Sequence, residues 1–300
     1  MRYVVIVNFN SSDVLADCLA SLRDDRVHVV VVENGSTVAG ELERCEALLA
    51  PLSKATLVSS LDNRGFGAGV NLGVSAVPLT PSDVVWVLNP DTVIPDGAFD
   101  SLEQALVDLG DVIVSPVITS GTHGELIWFA GGTLDLRRGS SRHVSSVPEA
   151  TAPIPCSFMP GAALMCTGRT WEKIGGFRED LFLYWEDADL SLRASDLGIP
   201  MFVIPGVRVW HQVGASSARE GKSTIWYYYI SRNRLIVCST GFWSALRILF
   251  GPGLATTARL AMRALSERQR PIKKFCAYVA GTSAGLQRSI GYARKGTQPQ

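Results

Sequence analysis

The sequence predicts an α/β fold built on a doubly wound, mostly parallel sheet. Three observations carry that prediction. Short, nearly all-apolar runs alternate with helically spaced stretches up to about residue 120. The polar clusters follow directly on those runs, at the strand ends where such sheets bind ligands. Hydrophobic residues make up 47% of the 300 and charged residues 19%, enough for a large core and unlike a disordered chain.

Each element follows from local pattern. Tyr3–Asn8 is the first buried-type strand. Val14, Leu15, Cys18, Leu19 and Leu22 then make a helical face over Ser11–Leu22, capped by Ser11, Ser12 or Asp13. Val27–Val32 is a second strand, Glu41–Leu49 a helix, and Thr56–Ser59 a third strand. Gly65–Val77 is a glycine-rich turn into a helix, and Val84–Leu88 a fourth strand. Phe99–Leu109 is helical and Val112–Val117 extended. Beyond residue 120 the pattern changes. Ile127–Arg138 reads as a hairpin or edge strands, and Arg138–Pro155 as a Ser/Pro/Arg/Gly-rich loop. Order resumes at Pro160–Thr167 and Trp171–Gly176; Trp185–Leu197 is a helix, and Met201–Ile204 and Val207–His211 are two short strands.

Twenty-eight basic and 28 acidic residues cancel, so a whole-chain basic footprint for nucleic acid is absent. The charge is split, however. From Trp226 onward there are twelve Lys/Arg against one acid, Glu267, a balance of +11 set against −11 in the first 225 residues. That asymmetry suggests an acidic catalytic body and a basic tail that meets something anionic. Six scattered cysteines without a C-x-x-C pair read as free thiols of a reducing cytoplasm. The start lacks the pattern of a secretory signal, and no run of about 18 uncharged apolar residues suggests a membrane span.

Three clusters carry chemistry by residue type. Glu33-Asn34-Gly35-Ser36 offers a carboxylate and an amide to a pyrimidine edge or ribose hydroxyl, or is a strand-to-helix turn capped by Ser36. Asn63-Arg64-Gly65-Phe66-Gly67-Ala68-Gly69 is G-x-G-x-G, and it is not in the first βα turn, where a dinucleotide fingerprint belongs. Its glycines either bring helix N–H groups to an anion or serve close helix–sheet packing. Arg64 can neutralise a diphosphate, and Asn63 can fix base or ribose. Trp185-Glu186-Asp187-Ala188-Asp189 places three carboxylates at a helix start, where acids also suit the dipole. Phe182, Leu183, Tyr184 and Trp185 give them an apolar surround in which a carboxylate can act as a general base with a raised pKa. Asp189 is a cap or the partner of Arg193.

These stretches, with Val7-Asn8-Phe9-Asn10, Leu88-Asn89-Pro90-Asp91 and Trp210-His211, resemble in type and order the family 2 inverting glycosyltransferases of the A-type fold (GT-A), especially the bacterial rhamnosyltransferase-like branch. The resemblance spans roughly residues 3–240. It implies a nucleotide-sugar site made of Asn8, Asn10, Glu33, Asn34, Asn63, Arg64, Gly67, Asn89 and Asp91. The family has Asp-x-Asp at residues 89–91; here Asn89 replaces the first carboxylate, leaving Asp91 to carry Mg²⁺ or Mn²⁺. His211 becomes a second metal ligand or a phosphate contact. Asp187 becomes the base, while Glu186 and Trp185 face the acceptor or orient the base. No Ser/His/Asp or Cys/His constellation suggests a covalent nucleophile, so direct displacement with inversion is implied. The branch suggests dTDP-L-rhamnose as donor and a lipid-linked or polysaccharide acceptor.

The implied organisation is a nucleotide-sugar half (1–120), an acceptor half (121–240) and a basic helical tail (241–300). In the tail Leu254, Ala258, Ala261, Met262 and Leu265 share a face roughly opposite Arg259, Arg263 and Arg270, as in a helix lying on the inner membrane surface. Packing on the body or on a second copy, as a homodimer, is the alternative. Rival functions are transfer from another nucleotide hexose such as a UDP-sugar, a sugar nucleotidyltransferase, and a non-catalytic membrane-surface binding module. The nucleotidyltransferase would need a Gly- and Lys-rich phosphate loop after the first strand, which Val7–Asn10 is not.

Overall fold

A computed structural model describes residues 1–22, 24–147, 152–212 and 221–291. In chain order the first elements are β1 (Arg2–Asn8), α1 (Ser12–Ser21), β2 (Val27–Asn34), α2 (Glu41–Leu49), β3 (Ala55–Ser60), α3 (Phe66–Ser75), β4 (Val84–Leu88), β5 (Thr92–Val93) and α4 (Ala98–Leu109). Next come β6 (Ile113–Ser120), β7 (Leu126–Phe129), β8 (Gly132–Asp135), β9 (Ser140–His143), β10 (Ile154–Cys156), β11 (Ala163–Thr167), α5 (Gly168–Ile174), α6 (Glu186–Asp196) and β12 (Met201–His211). Four helices close the chain: α7 (Thr224–Cys238), α8 (Phe242–Phe250), α9 (Leu254–Ser266) and α10 (Pro271–Gly291).

The main sheet runs β3-β2-β1-β4-β11-β6-β12-β10. Its first four strands are parallel, β11 is antiparallel to both neighbours, and β6 and β12 are parallel again. The predicted doubly wound α/β architecture is therefore present. Val4, Val5 and Ile6 of β1, Val29–Val32 of β2 and all of β4 are buried, as unbroken apolar runs require. The chain winds away from β1 to β2 and β3 on one side and to β4 on the other. The crevice for ligands therefore opens past the carboxyl ends of β1 and β4.

Two sequence expectations are corrected. Residues 201–204 and 207–211 belong to one strand, β12, whose register on β6 slips between Ile204 and Arg208. Pro205, and Pro116 opposite Ile204, both lack an N–H, so the ladder is interrupted without ending the strand. The expected loop at 138–155 contains β9 and β10; Ser-Ser-Arg-His has no apolar alternation to announce it, and pairing with β8 makes it a strand. Residues 148–151 of that stretch lie outside the described residues.

The chain forms two compact units. The first comprises Met1–Thr133, His143–Phe182 and Glu186–Val213; the second comprises Leu134–Arg142, Leu183–Trp185 and the described part of 214–300. In the second unit α7 and α10 pack closely because Gly281 and Gly285 face α7. A Cβ at Gly281 would lie 2.1 Å from Tyr228 O, and one at Gly285 2.6 Å from Arg232 O. Gly281→Val is expected to destabilise this unit by about 2 kcal/mol or more, read as a lowered midpoint in urea unfolding.

The tail helices leave most of the apolar face noted in the sequence open, and pack through another side. Leu260 and Ala261 of α9 pack on Tyr227, Ala264 and Tyr278, while Leu254, Met262 and Leu265 are exposed. Buried Arg234 is the polar centre of this unit. Its guanidinium donates to the carbonyls of Arg138, Gly139 and Gly253 and to Thr257 Oγ1.

Candidate active site

The carboxyl edge of β1 and β2 is organised by internal hydrogen bonds. Asn8 is fully buried; its Nδ2 donates to Glu41 Oε1 at 3.1 Å and its Oδ1 accepts from Ser11 Oγ at 2.8 Å. Its amide is engaged within the fold on both its nitrogen and its oxygen. Glu41, which the sequence reading passed over, also accepts from Ser12 N at 2.8 Å and pairs with Arg44, which hold its carboxyl down at about 2 against the cost of burial. Asn10 sits at φ 53° and accepts from the amides of Thr37 and Val38, tying two loops together. Glu33 is buried and accepts from Ser36 N–H at 2.7 Å, the turn geometry weighed from sequence.

The glycine-rich segment is shaped by two asparagines. Asn34 Oδ1 accepts from Arg64 N–H, its Nδ2 donates to Asn63 Oδ1 and Gly65 O, and Asn63 Oδ1 accepts from Gly65 N–H at 2.8 Å. Gly65 is required: at φ 85°, a Cβ there would lie 2.0 Å from Phe182 O. Phe66 N–H donates to that carbonyl at 2.9 Å, so the first donor of α3 is used by the chain and not left for an anion. Gly67 lets α3 approach Phe177 and Glu186, whose Cβ would be 3.6 Å from an added methyl. Arg64 is half-exposed and only loosely paired with Glu179, at 3.4 Å, which leaves its charge available to a ligand.

Residues 89–91 and 211 meet because β5 pairs with the end of β12, Thr92 opposite His211. His211 Nε2 lies 2.9 Å from Asp91 Oδ1 and 3.2 Å from the Asn89 amide. Two donors bound at about 2.1 Å to one octahedral cation lie about 3 Å apart, so this pair matches adjacent positions around Mg²⁺ or Mn²⁺. Turning the Asn89 amide over presents Oδ1 as a third, uncharged oxygen. Among the described residues no group of three or more His, Cys, Asp or Glu gathers to hold a metal, so substrate oxygens would have to complete the shell. Trp128, absent from the sequence reading, packs edge-on to His211 at 5.2 Å and to His143 at 4.7 Å, while His211 Nδ1 is buried without a hydrogen-bond partner among the described residues.

The acid trio starts α6. Glu186 is buried, its Oε2 without a hydrogen-bond partner among the described residues, and burial together with the charge of Asp187 pushes its carboxyl well above the usual range. Asp187 keeps partial exposure. Burial pushes it up to about 6, against the lowering pull of the Ala188 and Gly161 amides, the first at 2.8 Å from Oδ1. Such a carboxylate is ionised at neutral pH yet basic enough to take a hydroxyl proton. Asp189 pairs with Arg193 at 2.7 Å, and Arg193 also donates to Ile174 O and Gly176 O. Trp185 is buried, at 7% exposure. Asn71, also missed, fixes the approach to α6 by bonding both backbone groups of Phe177.

A nucleotide-binding type of sheet, an Asn-x-Asp/His pair at its carboxyl edge and a raised carboxylate at a helix start are the parts of a nucleotide-sugar transferase. Comparison with known proteins agrees. The profile of the family described as "Glycosyltransferase like family 2" matches residues 2–235, and the chain belongs to that family: it is a glycosyltransferase. It is 25% identical to the N-acetylglucosaminyl-diphospho-decaprenol L-rhamnosyltransferase of Mycobacterium tuberculosis, over 89% of this chain and 94% of that one. It is 22% identical to the dTDP-rhamnosyl transferase RfbF of Shigella flexneri, over 72% of this chain and 71% of that one. Among solved structures it is similar to GalNAc-T7 with UDP, GalNAc and Mn²⁺, at TM-score 0.65 and 16% identity, covering 81% of this chain and 48% of that one. Staphylococcus aureus TarS 1–349 gives TM-score 0.53 at 13% identity, covering 98% and 74%. These two likenesses concern the fold, which is GT-A.

Proposed function

We propose that the protein transfers L-rhamnose, with inversion, from dTDP-L-rhamnose to a polyprenyl-diphosphate-linked saccharide in surface-polysaccharide synthesis. The observation that carries the inverting mechanism is Asp187, a partly exposed carboxylate held at about 6 beside the buried acid Glu186. Asp187 accepts the proton of the acceptor hydroxyl as its oxygen attacks C1; the C1–O bond to the nucleoside diphosphate breaks, and the configuration at C1 inverts. Glu186, its carboxyl raised by burial and by the charge of Asp187, holds the acceptor sugar or orients the base. Arg64 offsets charge on the departing diphosphate. Asp91 and His211 would hold a divalent cation, which supplies Lewis-acid neutralisation of that diphosphate. The donor and acceptor named for the two rhamnosyltransferase relatives support the substrate choice.

The test is turnover across a panel of nucleotide sugars with and without Mn²⁺, with the anomeric configuration of the product read by NMR. Only a UDP-sugar being consumed would replace the rhamnosyl reading, and retention at C1 would remove the mechanism. Asp91→Ala is expected to weaken dTDP-L-rhamnose binding in the presence of Mn²⁺ by at least about tenfold and to abolish the response to metal, as calorimetry with and without chelator would show. Normal binding and a preserved metal response would place the cation elsewhere.

We further propose that the protein works as a peripheral protein at the inner face of the membrane, docked through its basic tail. Among the described residues no helix is long and apolar enough to cross a bilayer. The balance of +11 from Trp226 onward complements an anionic leaflet, and α8 and α9 expose large apolar side chains beside arginines.

A further inference from the structure

Three of the four residues 182–185 have positive φ without being glycine: Phe182 at 66°, Tyr184 at 65° and Trp185 at 72°. Bulky side chains avoid this region, so three such residues in four persist only where surrounding contacts over-determine them. The next two residues in the chain are Glu186 and Asp187. In the second unit, one fully buried side chain holds the middle of the segment. Asn233 Nδ2 donates to Leu183 O at 2.9 Å and to Tyr184 O at 2.8 Å. Arg232 donates to Asn233 Oδ1 at 2.7 Å, which fixes the amide with both N–H bonds toward the two carbonyls.

We propose that Asn233 is a positioning residue for the reaction: its amide clamps two successive carbonyls of this strained turn and thereby sets where the first turn of α6 presents Asp187. This rests on the reading of Asp187 as the base. The chemistry at position 233 is specific. Two adjacent carbonyls take two donors from one side chain, and the guanidinium behind it donates to its oxygen; the asparagine amide serves all three. An aspartate of the same size would turn lone pairs toward lone pairs. An alanine would remove both of these donors. In either case the backbone of 184–185 is released toward ordinary φ, and the carboxylate three residues on is displaced. A misplacement of about 1 Å in a reacting group costs on the order of 100-fold in rate.

The test uses the full-length protein with Asn233→Asp, nearly isosteric, and Asn233→Ala as the second variant. Turnover of dTDP-L-rhamnose, binding of dTDP, and amide hydrogen exchange over residues 182–187 are measured together. The expected result is faster exchange across 182–187 and a kcat lower by about 100-fold, with the dTDP dissociation constant unchanged within about twofold. Unchanged exchange, or faster exchange with normal kcat, overturns the proposal. So does a parallel loss of dTDP binding, which would mark Asn233 as a general fold element. Asp187→Asn is assayed alongside. If that variant turns over normally, the base assignment falls and the positioning role falls with it, while the exchange data separately report whether Asn233 holds the turn.

Discussion

Asp187→Asn should lower kcat by about 10²–10⁴-fold while leaving donor binding within about twofold, because it removes a proton acceptor and no diphosphate contact. The same substitution should stabilise the protein at neutral pH. Asp187 is pushed from an ordinary value of 3.8 up to about 6 by burial, so the native state binds its proton more tightly than the unfolded chain does. The group's full contribution to stability is present below about pH 4 and is lost as pH rises through 6; at pH 7 an ionised Asp187 is a net cost. An amide has no charge to desolvate. The variant should gain on the order of 1 kcal/mol at pH 7, roughly 3 °C in Tm, and no advantage at pH 4. In the wild-type enzyme the same pKa predicts an acid limb in kcat/KM near pH 6, since only the ionised form accepts the acceptor's proton. Stopped assays from pH 5 to 8 and thermal melts at pH 4 and 7 check both parts. Full activity in the variant removes Asp187 as base, and an unaltered melt at pH 7 removes the idea that burial holds the carboxylate high.

The parts of this molecule that were legible in the sequence are those whose signal is local. Val4–Val7, Val29–Val32 and Val84–Leu88 are apolar on both faces and are buried on both faces. Of the aromatic stretch before the three acids, Trp185 is buried, as is Glu186 after it. Residue type alone could not separate a ligand-facing amide from one spent inside the fold. Asn8 and Asn34 stand at strand ends in similar contexts, yet Asn8 is consumed by Glu41 and Ser11, and Asn34 by the turn at 63–65. Asn233 left no local trace, because its partners lie 49 and 50 positions away and are backbone carbonyls. Apolar periodicity in α9 marked Leu254, Met262 and Leu265 as one face but not which face packs. The buried side was set by Tyr227 and Tyr278, which belong to other helices.

The side of α9 left open, with the exposed face of α8, defines the second large effect. The quadruple change Trp243→Ser, Arg247→Glu, Phe250→Ser and Arg259→Glu should lower partitioning onto anionic vesicles by about 1000-fold or more and leave dTDP binding intact. Trp243 and Phe250 are 76% and 72% exposed, and with Arg247 between them they lie at i, i+4 and i+7 on one face of α8. Leu254, Met262 and Leu265 add apolar area on α9, where Arg259 and Arg263 are also exposed. Aromatic rings and arginines alternating on an open face suit the headgroup boundary, where rings insert shallowly and guanidinium groups meet lipid phosphates. Each basic residue near an anionic leaflet contributes about 1 kcal/mol, so reversing two removes about 2 and adds repulsion of similar size. About 4 kcal/mol is three decades of partition coefficient, before the loss of the rings is counted. The residues are exposed, so the fold should tolerate the changes. Wild-type attachment should itself fall steeply between low and high salt, because screening shortens the reach of these charges. Co-sedimentation with vesicles of neutral and anionic lipid at two salt concentrations measures all of this. A wild-type protein that ignores anionic vesicles at low salt but sediments as a dimer would make the same exposed face a contact between copies of the chain.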